Sequence, residues 1–267
     1  MKIVQWATTA VAMTLTATVA LADDISLKLP EHSMSAYMQA LLTQSLEAAG
    51  HTANIEIAEG VPARRFDAQV SQGEDGMVTF KLWRRTLDNA VIVPVDLTGG
   101  LIGKRVFFIR PSDQAAFSEM ASLGDLQGSG MVGGFGKGWY DVSVWNENAL
   151  TVSEVDGEWR NIYKMLGAGN RGIDYFSRGI MEIEAEAPQH PDLAAESDLL
   201  FVYPGDFQLF MSPAETDTAP VIQAALEAAV DSGLRDALVR EFFPSIFDPN
   251  GLNMDGRTHI ELAPPAS

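Results

Sequence analysis

Arg178 and the acids behind it, Glu182, Glu184 and Glu186, form a dense run of chemistry-bearing side chains. A guanidinium grips carboxylates and phosphates through paired hydrogen bonds, and two carboxylates can share acid and base work. Arg178 follows Asp174-Tyr175-Phe176-Ser177, a segment that reads as a strand end, where ligands collect in open α/β sheets. Arg84 and Arg85 stand at a similar strand end, directly after Trp83. Plainer readings stand beside these. The arginines can pair with an acidic surface, and the glutamates can form a solvated helix face on which Glu182, four residues on, pairs with Arg178.

Six glycines fall between 128 and 138. Gly128-Ser129-Gly130-Met131-Val132-Gly133 has dinucleotide-binding spacing, but it lies deep in the chain rather than after a first strand. Gly136-Lys137 fails as a phosphate loop, because Met131 and Gly138 stand where Gly and Ser or Thr are needed. The expectation that survives is a flexible strand-to-helix loop whose amides at Gly136 and Gly138 hold a small anion. Trp139, Tyr140 and Asp141 follow it, two aromatics and a carboxylate at a helix start, where Asp141 can also simply favour the helix dipole. No G-x-S-x-G elbow and no H-E-x-x-H zinc helix is present, so an enzyme has no local signature here.

Composition narrows the field further. A net charge of −18 repels phosphate backbones and anionic lipid alike, which excludes nucleic acid and polybasic membrane docking. The absence of Cys removes disulfides, thiolate chemistry and Cys-ligated metals. The four histidines lie at 32, 51, 190 and 259, none at ligand spacing, and no cofactor is expected. Lys2, an apolar Thr-rich run over residues 3–19 and the ending Ala20-Leu21-Ala22 read as a secretory signal peptide over 1–22, cleaved after Ala22. The mature chain is then expected in the periplasm, with no membrane insertion of its own.

The elements that must position these residues alternate in type. Residues 25–29 alternate as a strand, Met34, Tyr37, Met38, Leu41, Leu42 and Leu46 recur at helical spacing, and 53–58, 61–70 and 77–83 predict strand, helix and strand. Strands are expected at 91–95, 105–109, 150–152, 172–176, 199–203 and 207–211. Helices are expected at 113–122, 139–149, 159–166, 178–187, 220–229 and 234–243. From 244 onward the sequence reads as a loop and a frayed tail. Such alternation predicts an α/β fold, with a parallel sheet in the first unit.

Several motifs together resemble the type 2 periplasmic solute-binding proteins, the superfamily of the amino-acid receptors of ABC importers. They are Val91-Ile92-Val93-Pro94, Asp125-Leu126-Gln127-Gly128, residues 131–138 and Gly172-Ile173-Asp174-Tyr175. Gly100-Leu101-Ile102-Gly103-Lys104-Arg105, Gly138-Trp139-Tyr140-Asp141 and Asp174-Tyr175-Phe176-Ser177-Arg178-Gly179, followed by Glu182, resemble a less-studied branch of it. The resemblance implies two α/β lobes joined by two crossover strands and closing on a small solute. Lobe 1 would comprise 23–107 and 209–267, and lobe 2 would comprise 108–208. It also implies a carboxylate-binding Arg near Arg84 or Arg85, and a helix N-terminus at 136–139. Ser177-Arg178 stands where amino-acid receptors present an Asp, which leans toward a solute with a second anionic group.

The expected function is therefore an exported, non-catalytic receptor for a small polar, carboxylate-bearing solute, working with an inner-membrane permease or sensor. Its ligand contacts are expected among Trp83, Arg84, Arg85, Gly136, Gly138, Trp139, Asp141, Tyr175, Arg178 and Glu182. Arg178→Ala is expected to abolish ligand-induced stabilisation while leaving the protein folded. Two alternatives stay open: a sensory or interaction protein with a degenerate cleft, and a periplasmic dehydratase or lyase using Glu182 or Asp141 as base.

Overall fold

In the computed structural model, which describes residues 24–83 and 87–265, Ile25, Leu27 and Leu29 turn inward and Asp24, Ser26 and Lys28 outward. That period of two makes the first strand, Asp24–Pro30 (β1). The expected leader at 1–22 and the expected contacts Arg84 and Arg85 lie outside the described residues. Helix Ser35–Ala48 (α1) follows, burying Tyr37, Met38, Leu41, Leu42 and Leu46 along one stripe. Next come Thr52–Ala58 (β2), Ala63–Gln72 (α2), Val78–Leu82 (β3) and Val91–Val93 (β4). β1 and β2 pair in parallel, and a single parallel bridge from Lys28 to Met77 links them to the start of β3.

The chain then crosses into a larger sheet. Its elements are Lys104–Ile109 (β5), Gln114–Ser118 (α3), Leu123–Ser129 (α4), Val132–Gly136 (β6), Tyr140–Glu147 (α5), Thr151–Val155 (β7) and Asn161–Ala168 (α6). Tyr175–Gly179 (β8), Ile180–Glu186 (α7), Ala194–Ala195 (β9) and Leu199–Val202 (β10) complete the run. Phe207–Met211 (β11) returns to the first lobe and pairs antiparallel with both β3 and β4. Ala219–Asp231 (α8) and Leu234–Phe242 (α9) then pack on α1. Thr258–Glu261 (β12) crosses back. The larger sheet has the order β12-β10-β5-β8-β6-β7, with β9 on β5. No helix among the described residues is long and apolar enough to cross a membrane.

Strand pairing differs from the expected lobe limits at two places. β5 was expected to fall in lobe 1 as far as residue 107 but pairs with β8 and β10, and β12, within the expected 209–267, pairs with β10. The tail expected to fray is instead a strand. Arg257 pins its start, donating to the carbonyls of Glu196 (2.6 Å) and Leu199 (3.0 Å), and Ile260 is buried. The chain therefore crosses between lobes three times, at 94–103, 203–206 and 243–257. The first two crossings are clipped together by Asp206. Its Oδ1 accepts from the Thr98 N–H (2.8 Å) and hydroxyl (2.7 Å), and its Oδ2 accepts from the Gly100 N–H (2.5 Å).

The glycine-rich segment is not a flexible loop. α4 stops at Gly130 in a left-handed turn (φ 70), and β6 then runs through the core. A Cβ on Gly133 would sit 2.8 Å from the Phe135 and Tyr175 rings, and one on Gly134 would sit 2.9 Å from Ile173. The glycines let large side chains close over a strand. The Tyr175 ring belongs to a stack in which Phe107 lies between Tyr175 (4.3 Å) and Phe201 (4.6 Å), and the Phe135 ring meets Trp145 at 5.0 Å.

Candidate ligand-binding cleft

β8 ends three residues later than its sequence pattern predicts, so Arg178 lies on a strand and α7 begins at Ile180. The cause is a cap. Glu182 Oε2 accepts the Gly179 N–H at 2.8 Å, which starts the helix behind Gly179 and aims Glu182 back at the strand end. α7 thereby brings two carboxylates to one guanidinium. Arg178 Nε and Nη2 donate to Glu186 at 2.9 and 2.6 Å, and Nη2 also reaches Glu182 Oε1 at 2.7 Å. Its flat face lies against rings, with Cζ 4.8 Å from the Trp159 centroid and 5.5 Å from those of Trp139 and Phe176. Nη1 has no hydrogen-bond partner among the described residues, although the side chain is only 5% exposed.

A second guanidinium completes the cluster. Arg105, at the start of β5, meets Asp141 (2.8 Å), Glu182 (3.5 Å) and the Ser177 and Ile102 carbonyls (3.0 and 3.1 Å). Asp141 also accepts the Tyr203 hydroxyl at 2.8 Å, and Glu186 accepts that of Tyr163 at 2.5 Å. Two guanidiniums thus face three carboxylates. Burial opposes the charge of Arg178, but Glu182 and Glu186 outweigh it and raise its pKa. Glu186 is likewise desolvated, yet Arg178 and the Tyr163 hydroxyl hold it down to about 2. For Glu182, burial wins over Arg178 and Arg105 and pushes the carboxyl up.

The first lobe meets this cluster through the loop between β1 and α1. The Ser33 hydroxyl donates to Glu186 at 3.0 Å, and His32 Nε2 lies 3.9 Å from Glu182. Burial, with Arg178 nearby, pushes His32 down to about 3, so it is neutral. Its ring stands edge-on to Phe80 (5.3 Å) and Phe207 (6.4 Å). At the rim, Arg64 of α2 faces Asp156 of the second lobe at 3.6 Å, and Lys137 bonds the same carboxylate at 2.9 Å. Between floor and rim lies a cleft of about 760 Å³, walled by His32, Phe80 and Phe207 on one side and by Trp139, Tyr140 and Trp159 on the other.

Of the residues expected at the site, Gly136, Trp139, Asp141, Arg178 and Glu182 line this cleft. A Cβ on Gly136 would lie 2.3 Å from the Trp139 indole, so the glycine seats that ring. The Gly138 amide, expected to serve an anion, donates to Glu154 of the chain itself at 2.9 Å. Tyr175 is placed elsewhere, in the core of the second lobe, with its hydroxyl accepting from Trp145 Nε1 at 2.9 Å. Trp83 is 36% exposed behind β3 and does not line the cleft. The expected ligand contacts did not include Arg105, His32, Phe80, Phe207 and Trp159, and Glu186 was weighed only as part of an acidic run behind Arg178. A surplus of acids around Arg178 was the signal for a second cation, but nothing local marks Arg105 as its source.

No protein-family model matches the sequence, and no curated protein matches it either. Solved structures do match in fold. A TRAP periplasmic solute binding protein from Desulfovibrio salexigens, in complex with diglycerolphosphate, aligns over 89% of this chain and 86% of its own, with a TM-score of 0.55 and 12% identity. An amino acid ABC transporter substrate-binding protein from Streptococcus pneumoniae, bound to L-arginine, aligns over 82% and 94%, with 0.53 and 16%. A periplasmic His/Glu/Gln/Arg/opine family-binding protein from Silicibacter pomeroyi, in complex with lysine, aligns over 82% and 96%, with 0.52 and 8%. With two lobes joined by crossing segments around a cleft, the chain has the α/β fold of the type 2 periplasmic solute-binding proteins.

Proposed function

We propose that this protein is an exported, non-catalytic receptor that holds a small polar, carboxylate-bearing solute between its lobes, for delivery to a membrane permease or sensor. The observation that carries this reading is Arg178 Nη1, a guanidinium donor without a partner among the described residues, on a side chain that lines the cleft. A guanidinium donor left open toward the cleft can take its acceptor from a ligand, and a carboxylate entering from the cleft is its natural partner. The fold supports the reading, since such lobes close on a ligand by hinge motion. So does the leader-like composition of residues 1–22, which implies export.

Binding fits the cleft better than turnover. Glu182, the base that a lyase would use, has Oε1 on Arg178 and Oε2 on the Gly179 amide, so its lone pairs serve the fold. Thermal melts against a panel of small carboxylates test the proposal. At least one should raise the Tm of the wild type, and Arg178→Lys, which keeps the charge but not the planar fork, should lose that response. Equal stabilisation of both proteins would remove Arg178 from the site.

A further inference from the structure

Granted that the cleft holds a solute, as proposed above, its walls limit which solute fits. Six of the lining side chains are rings: His32, Phe80 and Phe207 on the first lobe, and Trp139, Tyr140 and Trp159 on the second. Among the described lining residues there is no Ser, Thr, Asn or Gln. Apart from the N–H and O–H groups carried by the rings themselves, the polar side chains of the lining are charged, and most of those charges already face one another. Ring centroids within each wall stand 5.3 to 6.4 Å apart, as Trp139 to Trp159 (5.3 Å), His32 to Phe80 (5.3 Å) and His32 to Phe207 (6.4 Å) show. Such walls offer a planar ligand both offset and edge-on contacts.

Charge limits the ligand in a second way. The buried guanidiniums of Arg105 and Arg178 are already faced by Asp141, Glu182 and Glu186. The outer cations are engaged as well: Lys81 with Asp67 at 2.7 Å, Arg160 with Glu158 at 3.3 Å, and Lys137 and Arg64 with Asp156. Of the two buried guanidiniums, whose nitrogens are otherwise bonded, Arg178 Nη1 is the one left to receive an anionic group among the described residues. A solute with two carboxylates would bring to the buried floor a charge for which that floor holds no second open guanidinium nitrogen among the described residues, the exposed cations Arg64, Lys137 and Arg160 standing at the rim. This differs from the sequence-based leaning toward a second anionic group.

From these two features we infer that the cleft selects a small monocarboxylate carrying a planar unsaturated ring, with its carboxylate at Arg178 Nη1 and its ring between Trp139 and Phe207. Calorimetric titration of the purified full chain tests this with phenylacetate, its saturated counterpart cyclohexylacetate, L-phenylalanine, succinate, L-arginine and glycerol. Phenylacetate should bind, cyclohexylacetate should bind about tenfold more weakly because it loses the ring contacts, and succinate and glycerol should give no heat. L-phenylalanine, a ring-bearing monocarboxylate with an added amine, should bind more tightly than succinate or glycerol. Trp139→Leu on one wall and Phe207→Leu on the other should each weaken phenylacetate about tenfold, so one misfolded variant does not leave the question open. Saturated and unsaturated rings binding alike, or succinate, L-arginine or glycerol binding best, would overturn this inference while leaving the receptor reading intact. Absence of binding by every probe, together with no response in the wider carboxylate melts, would overturn both.

Discussion

Arg178 holds two roles that pull on any substitution made there. It neutralises Glu182 and Glu186, both buried, and its remaining nitrogen faces the cleft. Removing the side chain leaves two desolvated carboxylates without their partner, so Arg178→Ala should lose roughly 3–5 kcal/mol of stability in urea denaturation. A loss of that size would mix with any loss of ligand-induced stabilisation in Arg178→Ala, so Arg178→Lys, which keeps a cation beside Glu182 and Glu186, is the cleaner probe. A second residue-scale consequence concerns pH. Folded His32 stays neutral down to about 3, whereas an unfolded histidine takes up its proton near 6.5. The unfolded chain binds more protons throughout that window, so stability falls as pH drops through it. Glu186 acts in the same direction between 4.5 and about 2. Glu182, pushed up, works the opposite way, its contribution being lost as pH rises through its folded value. In His32→Asn the fall in Tm between pH 6.5 and about 5 should be shallower than in the wild type. Parallel slopes would show that His32 does not titrate in the way its burial requires.

At the scale of elements, β6 and the β8–α7 junction decide where the site residues point. A methyl group on Gly133 would meet the rigid rings of Phe135 and Tyr175 at 2.8 Å, so Gly133→Ala should cost about 1–3 kcal/mol by urea titration. A neutral result would mean that the stack of Phe107, Tyr175 and Phe201 yields easily. These same elements show what was legible in the sequence. The alternation in 25–29 and the helical stripe from Met34 to Leu46 are local signals, and both elements form where their periods predict. β6 was hidden, because glycine carries no side-chain period and its place in the sheet is set by rings distant in sequence. α4 was hidden for a related reason. It contains Gly124 and Gly128, and the Ser122 hydroxyl that accepts the Asp125 N–H starts it in spite of them. The β8–α7 boundary moved because Glu182 caps Gly179, a reach of three residues that apolar periodicity does not register. Arg178 was thus expected among the ligand contacts while it and Gly179 were assigned to the helix rather than to β8.

For the whole molecule, the alternation of strands and helices conveyed the α/β class and the resemblance implied two lobes with two crossovers, but neither conveyed the third crossing that carries residues 243–257 to β12. That crossing depends on Arg257 finding the carbonyls of Glu196 and Leu199, partners distant in sequence. The lobes meet at the floor of the cleft through Ser33 and Glu186 and at its rim through Arg64 and Asp156. The floor contact is part-buried and has a neutral donor, whereas the rim pair is exposed and ionic, so added salt should weaken the rim more than the floor. Closure of the two lobes on a carboxylate held by Arg178 would change a distance, and that distance can be measured. Because the chain contains no cysteine, two introduced ones can be labelled without competition. Spin labels at Arg65→Cys on α2 and Lys164→Cys on α6 report the width of the cleft by pulsed electron resonance. Saturation with a carboxylate that stabilises the protein should narrow the distance distribution and shift it shorter, and Arg178→Lys should abolish the shift. An unchanged distribution at saturation, or the same shift in the variant, would contradict closure around Arg178.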